Sequence, residues 1–315
     1  MDDSRTEDLS EYFVFLTAEE KAEYDIERPA LSYRKYVWKR FKANGKIALF
    51  SSLVIIGIVL LSIVIPEISS FDYDTWDLAN RNLLPSQTHW LGTDHLGRDM
   101  FVRLFLGIRN SFIIAFVTGL ISLCIGILYG GIAGFSDAKI GVAMIKILDI
   151  LGLLPASIYV ILFMLLMNTS LSGSNMLTLM LAFCMTFWVN IAKIIREEIL
   201  HIKNHEFIFA VKALGVSDTR ILFRHLIPNV SDAIFINLTL LIPQIIFMEI
   251  FLGYIGLGVA TNYVSLGTIT SDAVATWRQF PLQIFFPSVV TCIIIFNFYV
   301  ISDALRKSLN YRAKV

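Results

Sequence analysis

Charge is what this sequence has least of. Only 17% of its 315 residues are Asp, Glu, Lys or Arg, where a soluble domain carries about 25%. What charge there is cancels, 26 basic against 26 acidic. A chain with no net positive charge has no electrostatic hold on a phosphate backbone, and no nucleic-acid partner is expected. Cysteine is scarce too: Cys124, Cys184 and Cys292 all fall inside apolar runs and read as small packing residues, so neither a disulfide frame nor a cysteine metal site is expected. His201 and His205 stand four apart without a third ligand, and His89 with His95 does not make a zinc site, so no metal is expected. No G-x-x-x-x-G-K-[ST] run occurs, which leaves the chain without a loop to cradle ATP phosphates. No HExxH helix and no serine–histidine pair supports an intramembrane protease. The expectation is a protein without catalytic residues and without a cofactor of its own.

Apolar residues fill the space that charge leaves, at 56% of the chain. Stretches long enough to cross a bilayer lie at 47–65, 111–135, 140–167, 176–192, 232–255 and 282–301. The fold class expected is an all-α polytopic membrane protein with six transmembrane helices, a permease domain spanning 47–305. Pro66 ends the first span. Gly126, Gly130 and Gly134 recur every fourth residue and bare one helix face to close approach by a neighbour. Asp149 and Pro155 interrupt the third span; the proline predicts a kink or break, and the carboxylate a partner such as Lys146 or a neighbouring helix. Thr186 and Asn190 share a face of the fourth span, and Asn237 and Gln244, seven apart, share one of the fifth. Polar side chains inside spans face water or another helix, so these four are expected to border a conduit, with helix–helix hydrogen bonding as the alternative. Glu249 lies about 140° round the helix from Gln244 and is expected to make a structural contact.

Lys and Arg are distributed unevenly between the connecting segments. Residues up to 46, the 136–146 turn, the 193–230 loop and the carboxyl end hold 21 of them, and the intervening segments on the other side hold 5. Cytoplasmic segments are the basic ones, which predicts both termini and the 193–230 loop in the cytoplasm. Residues 1–28 read as an acidic mobile tail and 29–46 as an amphipathic interfacial helix, with Tyr33, Val37 and Phe41 on one face and cations towards lipid head groups. No signal peptide is read ahead of the first span.

Between the fourth and fifth spans the stretch from Phe207 to Asn229 is too polar to cross. Phe207, Ala210, Val211 and Leu214 follow the i, i+3, i+4, i+7 pattern of an amphipathic helix face. Gly215 suits the helix end. Ser217 or Asp218 is placed to cap a second helix from 219 to 227, which Pro228 should stop. The result is a knob of two short helices outside the membrane.

The run Ala210, Ala213, Leu214, Gly215, Ile221, Arg224 and Pro228-Asn229 resembles the EAA loop of permease subunits in binding-protein-dependent ABC importers. Phe209 stands where that family usually has Glu, and Val211 replaces its second Ala. Trp90–Asp99, WLGTDHLGRD, resembles the LGTD-x-x-GRD signature of the C-type permeases of peptide and nickel importers, most like oligopeptide permeases of Gram-positive bacteria. The FLG-x-x-GLG run after Glu249 and the 302–312 ending are also similar. The resemblance implies the type I importer fold and half of an oligopeptide pathway in a bacterial cell membrane. It implies a second homologous permease, two ABC ATPase subunits that bind ATP and Mg, and an extracytoplasmic solute-binding lipoprotein. Coupling to the ATPase would fall to Phe207, Ala210, Val211, Ala213, Leu214, Gly215, Arg220, Arg224 and Pro228. Gly92, Asp94, Gly97, Arg98 and Asp99 would form a self-bonded structural stretch within the extracytoplasmic loop 67–106, and 306–315 a cytoplasmic tail. Dipeptides or nickel chelates are alternative cargoes. A secondary transporter or channel would need inverted repeats, and none is read.

Overall fold

A computed structural model describes residues 41, 46–168, 176–258 and 263–309; the acidic tail and most of the predicted interfacial helix lie outside the described residues. Helices α1 (Lys46–Ile68), α2 (Met100–Phe135), α3 (Ala138–Leu151), α4 (Ala156–Asn168) and α5 (Met176–Lys203) make up the first half. After the loop helices α6 (Glu206–Ala213), α7 (Asp218–Ile221) and α8 (Ile227–Asn229) come α9 (Ser231–Tyr254), α10 (Leu266–Thr276) and α11 (Leu282–Leu309). Five of these are long and apolar enough to span a membrane. The pair α3 and α4, bent by 77° at its break, makes a sixth span if taken as one. The break sits where Pro155 was expected to put it, because the proline can neither continue the hydrogen-bond ladder nor avoid the preceding turn.

The centre of the bundle is the α2–α5 pair, and its closeness comes from glycine. A Cβ on Gly126 would strike Ile191, one on Gly130 the Ala192 backbone, and one on Gly134 would lie 3.0 Å from the Arg196 carbonyl and from Ile199. The glycine face therefore meets α5, as the four-residue spacing predicted. Around this pair Ile108, Ile114, Leu179, Phe183, Ile195, Ile245 and Ile246 are fully buried in one continuous core. On α1 only a thin seam of small residues, Ala48, Ser51 and Ser62, is buried, against α2 and α11, while Leu53, Ile56 and Leu60 stay exposed. An exposed apolar surface of that kind is a lipid face.

Four boundaries differ from the expected ones. Pro66 does not end α1, which runs through it to Ile68. α2 starts at Met100, not 111, because the Asp99 carboxylate caps it by accepting from the Val102 amide at 2.9 Å. α5 runs to Lys203, so the fourth span projects well beyond 192. The sixth span likewise continues to Leu309, so residues 306–309 of the expected tail are helix. The stretch between the fifth and sixth apolar runs is not all loop: α10 is helical there, with a reciprocal Ser265–Thr268 capping box. Asp149 pairs with Lys193 of α5 at 2.7 Å, a neighbouring helix rather than Lys146.

Candidate functional site

The loop between α5 and α9 is anchored to the bundle at its root. Lys203, the last residue of α5, donates to the carbonyls of Phe135 at 2.6 Å and Ser136 at 2.9 Å, the free carboxyl-terminal acceptors of α2. A cation at that end also complements the helix dipole. Lys212 of α6 lies 5.1 Å from the centre of the Phe135 ring. The turn after α6 closes in two bonds: the Gly215 amide donates to Lys212 and the Val216 amide reaches five residues back to Val211. This is the Schellman arrangement, and it needs the φ of +75° that Gly215 adopts. Val216 and Val211 both pack against the core.

That packing corrects the predicted helix face. Val211 points inward beside the fully buried Ile208, so the exposed apolar face of α6 is Phe207, Ala210, Ala213 and Leu214, with Phe209 added. Leu214 is 81% exposed, a large apolar side chain left bare at the tip. Ser217 occupies the cap position of α7 without a side-chain cap bond. Pro228 does not stop the second helix. It lacks the N–H owed to the Arg224 carbonyl and its ring crowds that oxygen. A π turn over Leu222–Leu226 widens the helix just before it, with the Ile227 amide donating to the Leu222 carbonyl. The helix then runs through Pro228 to Asn229. Arg220, Phe223, Arg224 and Pro228 line a shallow concavity of about 580 Å³ beside the tip. Phe223, half-exposed there, was missed: nothing in a helix face pattern separates it from its buried neighbour Leu222.

Above the loop, the polar positions of α5 and α9 come together in part. Asn190, Asn237 and Gln244 line one cavity of about 320 Å³, with Lys193 and Glu197 at its edge. Asn237 also borders a larger cleft of about 860 Å³ that opens towards the loop past Glu198, His201, His205, Asp232 and Arg306. Thr186 is not in either lining; its hydroxyl donates to the Ala182 carbonyl at 3.0 Å within its own helix.

At the opposite end of the bundle, residues 69–99 fold over α2 and α10. Asp94 accepts from the Leu96 and Arg98 amides at 2.9 Å each and from the Arg98 guanidinium at 2.7 Å. Asp99 also meets His89 Nδ1 at 2.8 Å. Gly92 and Gly97 supply positive φ where a Cβ would enter the Leu83 and Asp77 backbones respectively. The self-bonded stretch is thus present, and it reaches further than the sequence suggested. Arg98 and Arg103 both bond Asp272 of α10, at 3.1 and 3.2 Å. Gln283 bridges Thr276, Asn82 and the Thr93 carbonyl. Arg103, Asp272 and Gln283 lie outside any local motif, so only the tertiary fold reveals them. The potential ligand atoms of Asp94, His95 and Asp272 lie within 4.8 Å of one another, but two guanidinium groups already hold both carboxylates, so a cation there would have to displace them. On the same segment the Asn80 amide, donating at 2.8 Å, holds the Asp77 carboxyl below its usual range.

The profile of the binding-protein-dependent transport system inner membrane component family matches residues 126–315, a range that contains the loop, both cavities and α10. The chain belongs to that family. A second profile, the N-terminal TM domain of oligopeptide transport permease C, matches residues 32–85. The oligopeptide transport system permease protein OppC of Bacillus subtilis (strain 168) is 38% identical over 90% of this chain and 92% of its own. The dipeptide transport system permease protein DppC of the same organism is 36% identical over 95% of this chain and 92% of its own. Among solved structures, an inward-facing conformation of the MetNI methionine ABC transporter matches with a TM-score of 0.52 and 17% identity. That match covers 66% of this chain and 97% of that one, and supports the type I importer permease fold. In the terms of this family, α6–α8 is the segment that the EAA resemblance identified.

Proposed function

We propose that this chain is the transmembrane permease subunit of an ATP-driven peptide importer, contributing half of the pathway and taking its energy from separate ATPase subunits. The observation that carries this reading is the loop itself. A short apolar helix with a bare leucine at its tip is set at a fixed angle by Gly215 and rooted by Lys203 in the centre of the bundle. An exposed apolar knob of that kind calls for a partner that covers it. Phe207, Ala210, Ala213 and Leu214 enter an apolar groove on the ATPase, Arg220 and Arg224 orient the contact electrostatically, and Val211 supports the knob from within. Asn190, Asn237 and Gln244 face the conduit, closed on its other side by a related permease. An extracytoplasmic solute-binding lipoprotein delivers the cargo, and both termini lie in the cytoplasm.

Oligopeptides are the favoured cargo because both the 32–85 profile and the OppC relative carry that name; the DppC relative makes dipeptides the second reading. The test is reconstitution of this chain with its neighbouring permease, ATPases and binding protein in proteoliposomes. ATP-dependent accumulation of tetra- to hexapeptides is expected. Accumulation of dipeptides alone supports the second reading, and accumulation that continues without ATPase subunits overturns the first.

A further inference from the structure

Every helix begins with four backbone N–H groups that have no acceptor within it. In a membrane protein, water is in short supply to satisfy them. At α10 all four are accounted for. The Ser265 amide donates to its own capping partner, Thr268 Oγ1, at 2.8 Å, and the Thr268 amide to Ser265 Oγ at 3.3 Å. The other two donate to different helices: Leu266 to the Ser111 hydroxyl of α2 at 3.0 Å, and Gly267 to Oε1 of Glu249 of α9 at 3.4 Å. Glu249 is fully buried, and among the described residues its Oε2 has no hydrogen-bond partner. A buried carboxyl is tolerated there because it faces the positive end of the α10 dipole. The backbones around it are pressed together through glycine. A Cβ on Gly267 would lie 2.8 Å from the Glu249 carbonyl, and one on Gly253 would strike Gly267.

The other end of α10 is fixed just as firmly, through Asp272 to Arg98 and Arg103 and through Thr276 to Gln283. α9 itself grows directly out of the loop, since the Val230 amide bonds Leu226 and the Ile234 amide bonds Val230. One helix therefore leads from the knob to a buried carboxyl, and that carboxyl holds the first turn of a strut bonded to the 69–99 segment. We infer that Glu249 is a positioning residue that makes α10 follow α9, so that movement of the loop reaches the opposite end of the subunit. The inference rests on the transport reading, because it needs a loop that moves.

The experiment uses the complete reconstituted transporter and reads two quantities: amide hydrogen exchange at residues 266–269, and peptide transported per ATP hydrolysed. Glu249→Leu removes the acceptor at similar volume. Exchange at those amides should rise on the order of tenfold, the scale of one lost hydrogen bond. Transport per ATP should fall by a similar factor while ATP hydrolysis and assembly persist. Glu249→Gln keeps an acceptor oxygen and should restore both readouts, which a role in bulk packing alone would not require. Unchanged exchange or unchanged transport per ATP in Glu249→Leu overturns the inference, as does Glu249→Gln behaving like Glu249→Leu. If Glu249→Leu does not assemble, the unaltered protein decides: rapid exchange at Gly267, with and without ATP, overturns it and slow exchange in both states upholds it. Absence of peptide uptake by the unaltered transporter would defeat the transport reading instead, and leaves the exchange data separately readable.

Discussion

At Gly215 the backbone sits at φ +75° with open space where a Cβ would go. Substitution there is penalised by conformation and not by crowding. Gly215→Val should cost about 1–2 kcal/mol or force a different turn, and either outcome redirects Leu214 and the start of α7. The expected result is a protein present in the membrane at normal level with ATP-dependent uptake abolished. Gly215→Ala, less strained than valine at positive φ, should retain part of it. Leu214→Asp keeps the turn but puts a charge on the 81% exposed tip, and should weaken co-purification of the ATPase subunits. Full uptake by both Gly215→Val and Leu214→Asp would reduce the loop to a connector. The glycine was legible in the sequence because a left-handed helix end has few residue solutions. The inward turn of Val211 was not. The face pattern alone allows two neighbouring stripes on so short a helix, and the packing of Val211 against the core that chooses between them is a tertiary contact.

At the scale of elements, the spans were legible because each buries or exposes apolar surface over a length that nothing else in a chain requires. Their ends were less so. A cap such as Asp99 sits in a polar stretch that reads as loop, and the last turns of α5 and α11 are polar because they project past the apolar layer. α10 leaves no apolar run to read for a related reason: its stability comes from Ser111, Glu249, Arg98 and Arg103, all supplied by distant segments. A close neighbour for α2 was legible from its glycines, the identity of that neighbour as α5 was not, and the pairing yields a sharp expectation. Gly130→Val would drive side-chain atoms into the Ala192 backbone, and a backbone cannot step aside as a side-chain end can. An overpacked contact of this kind costs typically 1–3 kcal/mol. In addition it should move the root of the loop, since Lys203 joins α5 to the end of α2. Thermal unfolding in detergent should shift down and uptake should fall with it. A stable, active Gly130→Val would mean the two helices separate more easily than their close approach implies.

For the whole molecule the outstanding quantity is direction. The described fold has two polar ends: one carries α6–α8 and the 136–137 turn, the other the 69–99 segment and α10. Among the described residues the Lys and Arg side chains are divided 11 to 5 between these ends, the larger share going with the loop. Positive charge is held back on the cytoplasmic side during insertion, and short connections obey this bias most faithfully. Three of the five charges on the other side are also spoken for, with Arg98 and Arg103 paired to Asp94 and Asp272, and Arg109 to Glu67. Paired in the fold, they carry little weight as competing signals. Two single cysteines in a background lacking Cys124, Cys184 and Cys292 test the arrangement. Ser217→Cys, exposed in the loop, should react with a membrane-impermeant maleimide only in inverted vesicles. Ser70→Cys, exposed just beyond α1, should react only in intact cells. Labelling of both from one side would break the count of six crossings, because three spans separate residues 70 and 217 and only an even number would leave them on the same side. Labelling of each from the wrong side would keep the fold, invert it, and leave the Leu214 knob out of reach of any ATPase in the cytoplasm.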